Sequence, residues 1–355
     1  MRPFPRNPQK ILIRSTNWIG DAVMTTPAVR TIRENYPKSE IVLLALPWVS
    51  DIFSSSPHID RIITYDKKGV HAGLCGKFRL VRELKAYRFD CAVLLQNAFE
   101  AALITTLSRI PARGGYTTDG RGLLLTHGVR KRSGISGRHQ VYYYQEMLAG
   151  LGLIPAPDEL ELYIPAETRD HAMQLLAQKA EKDFSRMPLI GFNPGAAYGP
   201  AKRWPAEKFA ALARRIEQQL GGNIAVFGTN ADTDTAMAIK DAVKRDACVL
   251  DFTGKTTLLE AMALIGQCSV FVTNDSGLMH VAAALKVPLA AIFGSTDHVA
   301  TGPFSANNII IRKNLACSPC KETHCPEKHL QCLEQINVDE VMRAMQQLIL
   351  QSTLS

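Results

Sequence analysis

Residues 15 to 27 read STNWIGDAVMTTP and follow Ile11 to Arg14, a run apolar but for its last residue. Asp21 stands directly after Gly20, where a buried strand should hand over to a helix. A glycine there allows close approach or an unusual dihedral, and the carboxylate beside it serves either acid–base chemistry or a helix N-terminus. A second candidate is NPGAAYGPAKRWP, residues 193 to 205, in which small turn residues precede Lys202 and Arg203. A flexible backbone followed by cations suits a phosphate. In a third stretch, VTNDSGLMHVAAALKVP at 272 to 288, a strand ends at Asn274 and Asp275 and a helix opens at once. The N–H groups of Ser276 and Gly277 then offer an anion site suited to a diphosphate, although capping alone also accounts for Asp275 or Ser276. The fourth stretch is FGTNADTD, with Asp232 and Asp234 either side of Thr233. Asp-x-Asp can hold a divalent metal, but acids in the first turn of a helix more simply complement its dipole. From the same place Asp232 can reach a ribose, as acids after the second strand of dinucleotide folds do.

Four of the eight cysteines, Cys75, Cys91, Cys248 and Cys268, are scattered and suit buried apolar positions. Cys317, Cys320, Cys325 and Cys332 are crowded into CSPCKETHCPEKHLQC with His324 and His329. In a cytosolic chain that pattern suggests a structural metal or redox knuckle, away from the chemistry, more than a disulfide framework. The Cys325 to Cys332 spacing fits no standard zinc module. Other signals are missing. TGKTT at 253 to 257 lacks the first glycine of a phosphate-binding loop, because position 249 is Val. Neither Gly-x-Gly-x-x-Gly nor Gly-x-Ser-x-Gly is present to indicate an oxidoreductase or a serine hydrolase.

The elements that position these residues alternate: a short β-branched run, a turn, a helical stretch. That is the rhythm of a parallel α/β sheet. Strands are predicted near 10–14, 41–46, 61–65, 90–95 and 113–117, and again near 189–193, 223–228, 248–252, 269–273 and 288–293. Helices are expected near 26–36 and 77–87, with a closing helix over 338–350. Thr26 and Pro27 suit a helix start, but the pattern also allows a helix from Asp21 kinked at Pro27. Ligands in such folds bind beyond the carboxyl ends of the strands, where all four stretches fall. A chain of 355 residues exceeds one ordinary core, and two doubly wound domains in tandem follow.

The formal charge of +8 is uneven, with 22 Lys/Arg against 13 Asp/Glu in residues 1–160 and 19 against 20 in the remainder. A basic first half suits an anionic partner such as nucleic acid, a phospholipid surface or a phosphorylated substrate, or merely a soluble basic face. No apolar run approaches the roughly 18 residues of a membrane span, and the opening MRPFPRNPQK lacks the apolar core of a signal peptide, so a cytoplasmic protein is expected.

NWIGDAVMTTPAVRTIRENYP, NPGAAYGPAKRWPAEKFAAL and TNDSGLMHVAAALKVPLAAIFGSTD, taken in order, resemble the bacterial lipopolysaccharide heptosyltransferases, a glycosyltransferase family, from about residue 10 to the final helix. The resemblance implies a GT-B fold of two Rossmann-like domains facing across a cleft. An acceptor-binding domain is expected over 1–165, a donor-binding domain over 166–335, and a helix over 336–355 returning towards the first. The implied donor is ADP-L-glycero-D-manno-heptose and the implied acceptor is the Kdo-lipid A inner core. Trp-Ile-Gly-Asp and Gly-Pro-Ala-Lys-Arg-Trp-Pro favour an acceptor already bearing one heptose. Other heptose additions within the family are the alternative, and a non-catalytic nucleotide-sugar-binding protein is the remote one.

On this resemblance Asp21 is the general base of an inverting transfer, while Lys202 and the helix at Ser276 stabilise the departing diphosphate. No metal or other cofactor is then required for catalysis. Residue by residue, Asp275, Ser276, Gly277 and His280 match the donor segment, Tyr198 and Lys202 the phosphate loop, and Asp232 the ribose position, where a short acid replaces a longer one. His280 equally suits a core position. Charge and position choose Asn17, Trp18, Arg121 and Arg138 for the acceptor. The partner implied is an anionic lipopolysaccharide inner core at the inner membrane face, with no nucleic acid and no transmembrane segment. The protein is then cytoplasmic and peripheral to that membrane.

Overall fold

Strands such as ILIR, IVLLA and VFVTN carry apolar residues on both faces because helices cover both sides of the sheets they form. The computed structural model describes residues 3–179, 187–245 and 248–354. The chain divides into two units, Met1–Tyr163 and Ile164–Ser355. In the first, β1 (Lys10–Arg14), β2 (Glu40–Ala45), β3 (Arg61–Thr64), β4 (Cys91–Leu94), β5 (Ala112–Tyr116) and β6 (His127–Val129) form a sheet of order β3-β2-β1-β4-β5-β6. All its pairings are parallel. The second unit repeats the plan with β7 (Leu189–Asn193), β8 (Asn223–Val226), β9 (Val249–Asp251), β10 (Val270–Asn274), β11 (Leu289–Ile292) and β12 (Asn308–Ile311) in the order β12-β11-β10-β7-β8-β9. These pairings are parallel too.

Two of the twelve strands were not expected. Both are edge strands: β6 has three half-buried residues, and three of the four residues of β12 are only half-buried. Strand β6, HGV, is too short to carry the apolar signal of a central strand, whereas β12 holds three consecutive isoleucines that do announce it. The order of each sheet reverses once, between β1 and β4 and between β7 and β10, which creates a crevice beyond their carboxyl ends. Asp21 follows β1, the Lys202 loop follows β7, and Asp275 and Ser276 follow β10.

The two helix starts the sequence allows are both partly realised, since Asp21 lies in a short helix of its own and a second helix begins at Thr26. Helix Ile19–Met24 breaks at Thr25, and helix Thr26–Asn35 follows with Pro27 in its first turn. The hydroxyls of Thr25 and Thr26 donate to the carbonyls of Ala22 and Val23 at 2.7 and 2.9 Å, so Thr26 closes one helix instead of capping the next. The closing helix, Val338–Leu354, lies on the second sheet, with Val341, Met342, Met345 and Leu348 in one core with Val272, Ala290 and Ile292.

Trp204 joins that core. It is 1% exposed, packs edge-on against Phe209 with ring centroids 5.0 Å apart, and donates from Nε1 to the Ile336 carbonyl at 3.0 Å. Trp204→Ala is expected to cost about 3–5 kcal/mol by leaving a cavity and an unpaired carbonyl, as read by urea denaturation. A loss below about 1 kcal/mol would remove Trp204 from the core that supports the adjoining loop.

Candidate functional site

Each unit holds its own group of functional side chains at the carboxyl edge of its sheet. In the first, Arg14 ends β1 fully buried, and its guanidinium donates to the carbonyls of Ser15 and Leu44 at 2.6 and 3.3 Å and to Asn17 Oδ1 at 2.9 Å. Burial lowers the Arg14 guanidinium to about 10, still protonated at neutral pH. Asn17 is therefore oriented by the strand end, and its carbonyl accepts from Trp48 Nε1 at 2.9 Å. Trp18 and Trp48 stand exposed on either side of it, at 62% and 45%. Asp21 is half-buried in the first turn of its helix. Its charge reaches the buried Tyr144 phenol, which is raised first by burial and then by that carboxylate.

A second network along this edge escaped sequence reasoning. Glu100 accepts from Tyr65 at 2.9 Å and pairs with Lys67 and Lys77 at 2.7 and 3.0 Å. Burial alone would raise the Glu100 carboxyl, but the hydrogen bonds from Lys67, Lys77 and Tyr65 outweigh it and hold it at about 2. These four residues come from three separate stretches of chain, so no local spacing announces them. Arg14, by contrast, is visible in the sequence as the charge that ends the apolar run Ile11–Ile13.

Arg121 is corrected as an acceptor residue. It is wholly buried, and its guanidinium donates to the Tyr116 carbonyl at 2.8 Å, to the Gln96 carbonyl, and to Asn97 Oδ1 at 2.8 Å. With three of its donors spent inside, it braces the ends of β4 and β5, and its side chain is not exposed on the surface. Arg138 remains exposed, with its guanidinium 4.2 Å from the centre of the Tyr142 ring. It borders a cleft of about 590 Å³ lined also by Arg132, Ser133, Gly134 and Glu146.

In the second unit, Lys202 ends a short 3-10 turn, and its ammonium lies 2.6 Å from Asp275 Oδ2 and 4.8 Å from the centre of the Tyr198 ring. Asp275 also accepts from Thr296 Oγ1 at 2.5 Å. The carboxylate thus positions the lysine, which keeps donors for a second acceptor while its charge is partly balanced. Ser276 caps helix Gly277–Ala284, accepting from the Met279 N–H at 3.3 Å and from Asn193 Nδ2 at 3.3 Å. Gly277 opens that helix beside the lysine loop, so a cation and a helix N-terminus belong to one sheet edge. His280 lies a turn further on and is buried, in the core position that the sequence left open.

Asp232 is corrected as a ribose ligand. Its Oδ2 accepts from the Thr229 N–H and hydroxyl at 2.9 and 3.0 Å in a capping box, and its Oδ1 lies 3.6 Å from Arg203. It is 5% exposed, and a Cβ at Gly195 or Gly228 would meet its carboxylate at 2.6 or 2.8 Å. The acid packs between the two loops instead of facing a ligand.

The cysteine segment packs on the loop of Lys202: the Lys321 carbonyl accepts from Tyr198 OH at 2.9 Å, and the Thr323 carbonyl accepts from the Ala201 N–H at 3.1 Å. Its cysteines are free thiols. The Cys332 thiol is raised by burial and then by the charges of Cys317, Cys325 and Cys320. Among the described residues, however, no three His, Cys, Asp or Glu side chains are gathered so as to hold a metal ion.

The sequence profile of glycosyltransferase family 9 (heptosyltransferase) matches residues 77–331. A lipooligosaccharide heptosyltransferase 2 of Haemophilus ducreyi is 32% identical over 350 residues, covering 96% of this chain and 99% of that protein. A lipopolysaccharide heptosyltransferase 2 of Escherichia coli K12 is 31% identical over 354 residues, covering 96% and 99%. The structure of the E. coli ADP-heptose lps heptosyltransferase II superposes with a TM-score of 0.80 at 28% identity, covering 97% of this chain and 99% of that one.

Two outcomes are expected from these geometries. Asp275→Asn removes the charge that fixes Lys202, and should raise the donor KM about tenfold while the fold survives, because the amide still accepts from Thr296. An unchanged KM would detach Lys202 from donor binding. Glu100 ionises at about 2 in the fold against its ordinary 4.5, so its stabilisation is complete above pH 4.5, fades below it and is gone below 2. Glu100→Gln should therefore cost about 1–2 kcal/mol at pH 7, discounted for its partly exposed position, and almost nothing at pH 2 by chemical denaturation. An equal loss at both would show that its charge is unimportant.

Proposed function

We infer the reaction from one established premise: this chain belongs to glycosyltransferase family 9, the heptosyltransferases. It transfers L-glycero-D-manno-heptose from the ADP-activated sugar to the first heptose of a Kdo-lipid A inner core. The observation that carries this reading is similarity over nearly the whole length to proteins named heptosyltransferase 2.

Transfer occurs with inversion. The acceptor hydroxyl gives its proton to the Asp21 carboxylate as its oxygen bonds to the anomeric carbon, and the bond from that carbon to ADP breaks on the opposite face. The electron pair leaves with the diphosphate. Lys202, steadied by Asp275, and the helix N-terminus at Ser276 and Gly277 offset the charge that grows there, so turnover should continue in EDTA. Tyr198 supports the lysine from below. Trp18, Asn17 and Arg138 are the acceptor's contacts on the first unit, Arg138 by meeting an acidic sugar and Trp18 by stacking on a sugar face. The acceptor is lipid-borne, which makes the enzyme peripheral to the inner membrane at its cytoplasmic face.

The test is transfer from ADP-heptose, in EDTA, to Kdo-lipid A with and without its first heptose. Turnover confined to the heptosylated acceptor supports the reading, and turnover on the bare acceptor reassigns the enzyme to the first addition. Asp21→Asn should lower kcat by about 10²–10⁴ with donor affinity, measured by calorimetry, unchanged. A variant with near wild-type kcat would sink the base assignment.

A further inference from the structure

Large apolar side chains exposed on the second unit, such as Met173, Met237, Val299 and Leu350, are scattered along its chain. On the first unit six of them fall on two helices and a turn that are neighbours. Leu74 and Phe78 occupy adjacent turns on one side of helix Gly73–Tyr87, and Phe99, Leu103 and Leu107 recur every fourth residue along helix Phe99–Leu107. These helices pack against each other, and the second packs on the turn Arg121–Leu124, from which Leu123 projects fully exposed. Leu74 and Phe78 are 75% and 60% exposed. Neighbouring elements thus display an apolar surface of a kind that soluble chains seldom leave to water.

Cations border it. Arg79, Arg82 and Lys85 on the same helix and Arg88 just after it are exposed, and none of them is in an ion pair among the described residues. The one acid exposed among them, Glu83, pairs with His71 at 3.2 Å. The two helices follow β3 and β4, so their first turns start from the sheet edge at which the helix of Asp21 also begins. Lys67 and Lys77, held to Glu100, tie those first turns together.

We propose that this face docks on an anionic phospholipid bilayer, with Leu74, Phe78, Leu103 and Leu123 entering the interface and Arg79, Arg82 and Lys85 meeting headgroup phosphates. Apolar side chains flanked by cations match the two attractions that hold a protein in the plane of a membrane surface. A symmetric pairing with a second copy would set Arg79, Arg82 and Lys85 against their own kind and is disfavoured on charge. Among the described residues no helix is long and apolar enough to cross a membrane, so attachment of this sort would be superficial. The inference rests on the proposed function in one respect, since a lipid-borne acceptor gives docking its use.

The experiment is flotation of the full chain with vesicles of phosphatidylcholine alone or with about one third phosphatidylglycerol, for wild type, Phe78→Asp/Leu103→Asp, Arg79→Glu/Arg82→Glu, and Met237→Asp on the other unit. Binding to the anionic vesicles is expected, reduced at least about tenfold by either first-unit pair and unchanged by Met237→Asp. Thermal melting verifies that each variant is folded. Transfer to a deacylated, water-soluble acceptor should remain at the wild-type level in both pairs, which separates failure of docking from failure of the transferase reading. Equal binding to both vesicle types, no binding, or retention by both pairs would overturn the proposal. So would a wild-type dimer, seen by sedimentation, that Phe78→Asp/Leu103→Asp dissociates, because the face would then belong to a second copy.

Discussion

The buried carboxamide of Asn274 holds the second unit's functional edge together. Its Oδ1 accepts from the Trp204 N–H at 3.1 Å and its Nδ2 donates to the Pro194 carbonyl at 2.6 Å, so one side chain at the end of β10 grips both ends of the loop that follows β7. With that loop fixed, Lys202 meets Asp275, the very next residue after Asn274. A fully buried amide left unpaired would be costly, and here donor and acceptor are both used on main chain. The Lys202 ammonium is therefore aimed by backbone geometry that the core enforces, and Trp204 couples the aim to the closing helix through the Ile336 carbonyl.

The first unit follows the same logic with different chemistry. Its edge is braced by two buried guanidinium groups, Arg14 at the end of β1 and Arg121 beyond β5, each spending its donors largely on main-chain carbonyls. A count of charges along the chain treats them like surface lysines, but both are buried and hydrogen-bonded within the fold. The basic character relevant to partners lies in the exposed residues of helix Gly73–Tyr87 and in Arg138.

Much of this was legible in the sequence, because it is local. Apolar runs bounded by turn residues marked ten of the strands, and the motifs after β1, β7 and β10 were read at the edges where they stand. What escaped depends on contacts between distant residues. Asp232 has the position of a nucleotide ligand, but the nearness of Gly195 and Gly228, which turns it inward, is a property of two loops at once. Arg121 looked available since nothing within a few residues predicts its burial against Gln96 and Asn97. The cysteine segment follows the Lys202 loop by more than a hundred residues and still lies on it. Pattern and spacing describe how a chain folds locally, whereas the commitment of a polar group to the interior is decided by its non-local neighbours.

The contact between the cysteine segment and the lysine loop is lopsided in what it demands of sequence. On one side it uses the carbonyls of Lys321 and Thr323, groups that every residue possesses. On the other stands Gly199, at φ +151°, where an added Cβ would come within 2.4 Å of the Thr323 carbonyl oxygen. Evolution can accordingly rewrite the side chains at Lys321 and Thr323 while the loop's conformation is kept, provided the path of the backbone survives. The glycine has no such latitude, and drift in this part of the protein should be tolerated on one face of the contact and halted on the other.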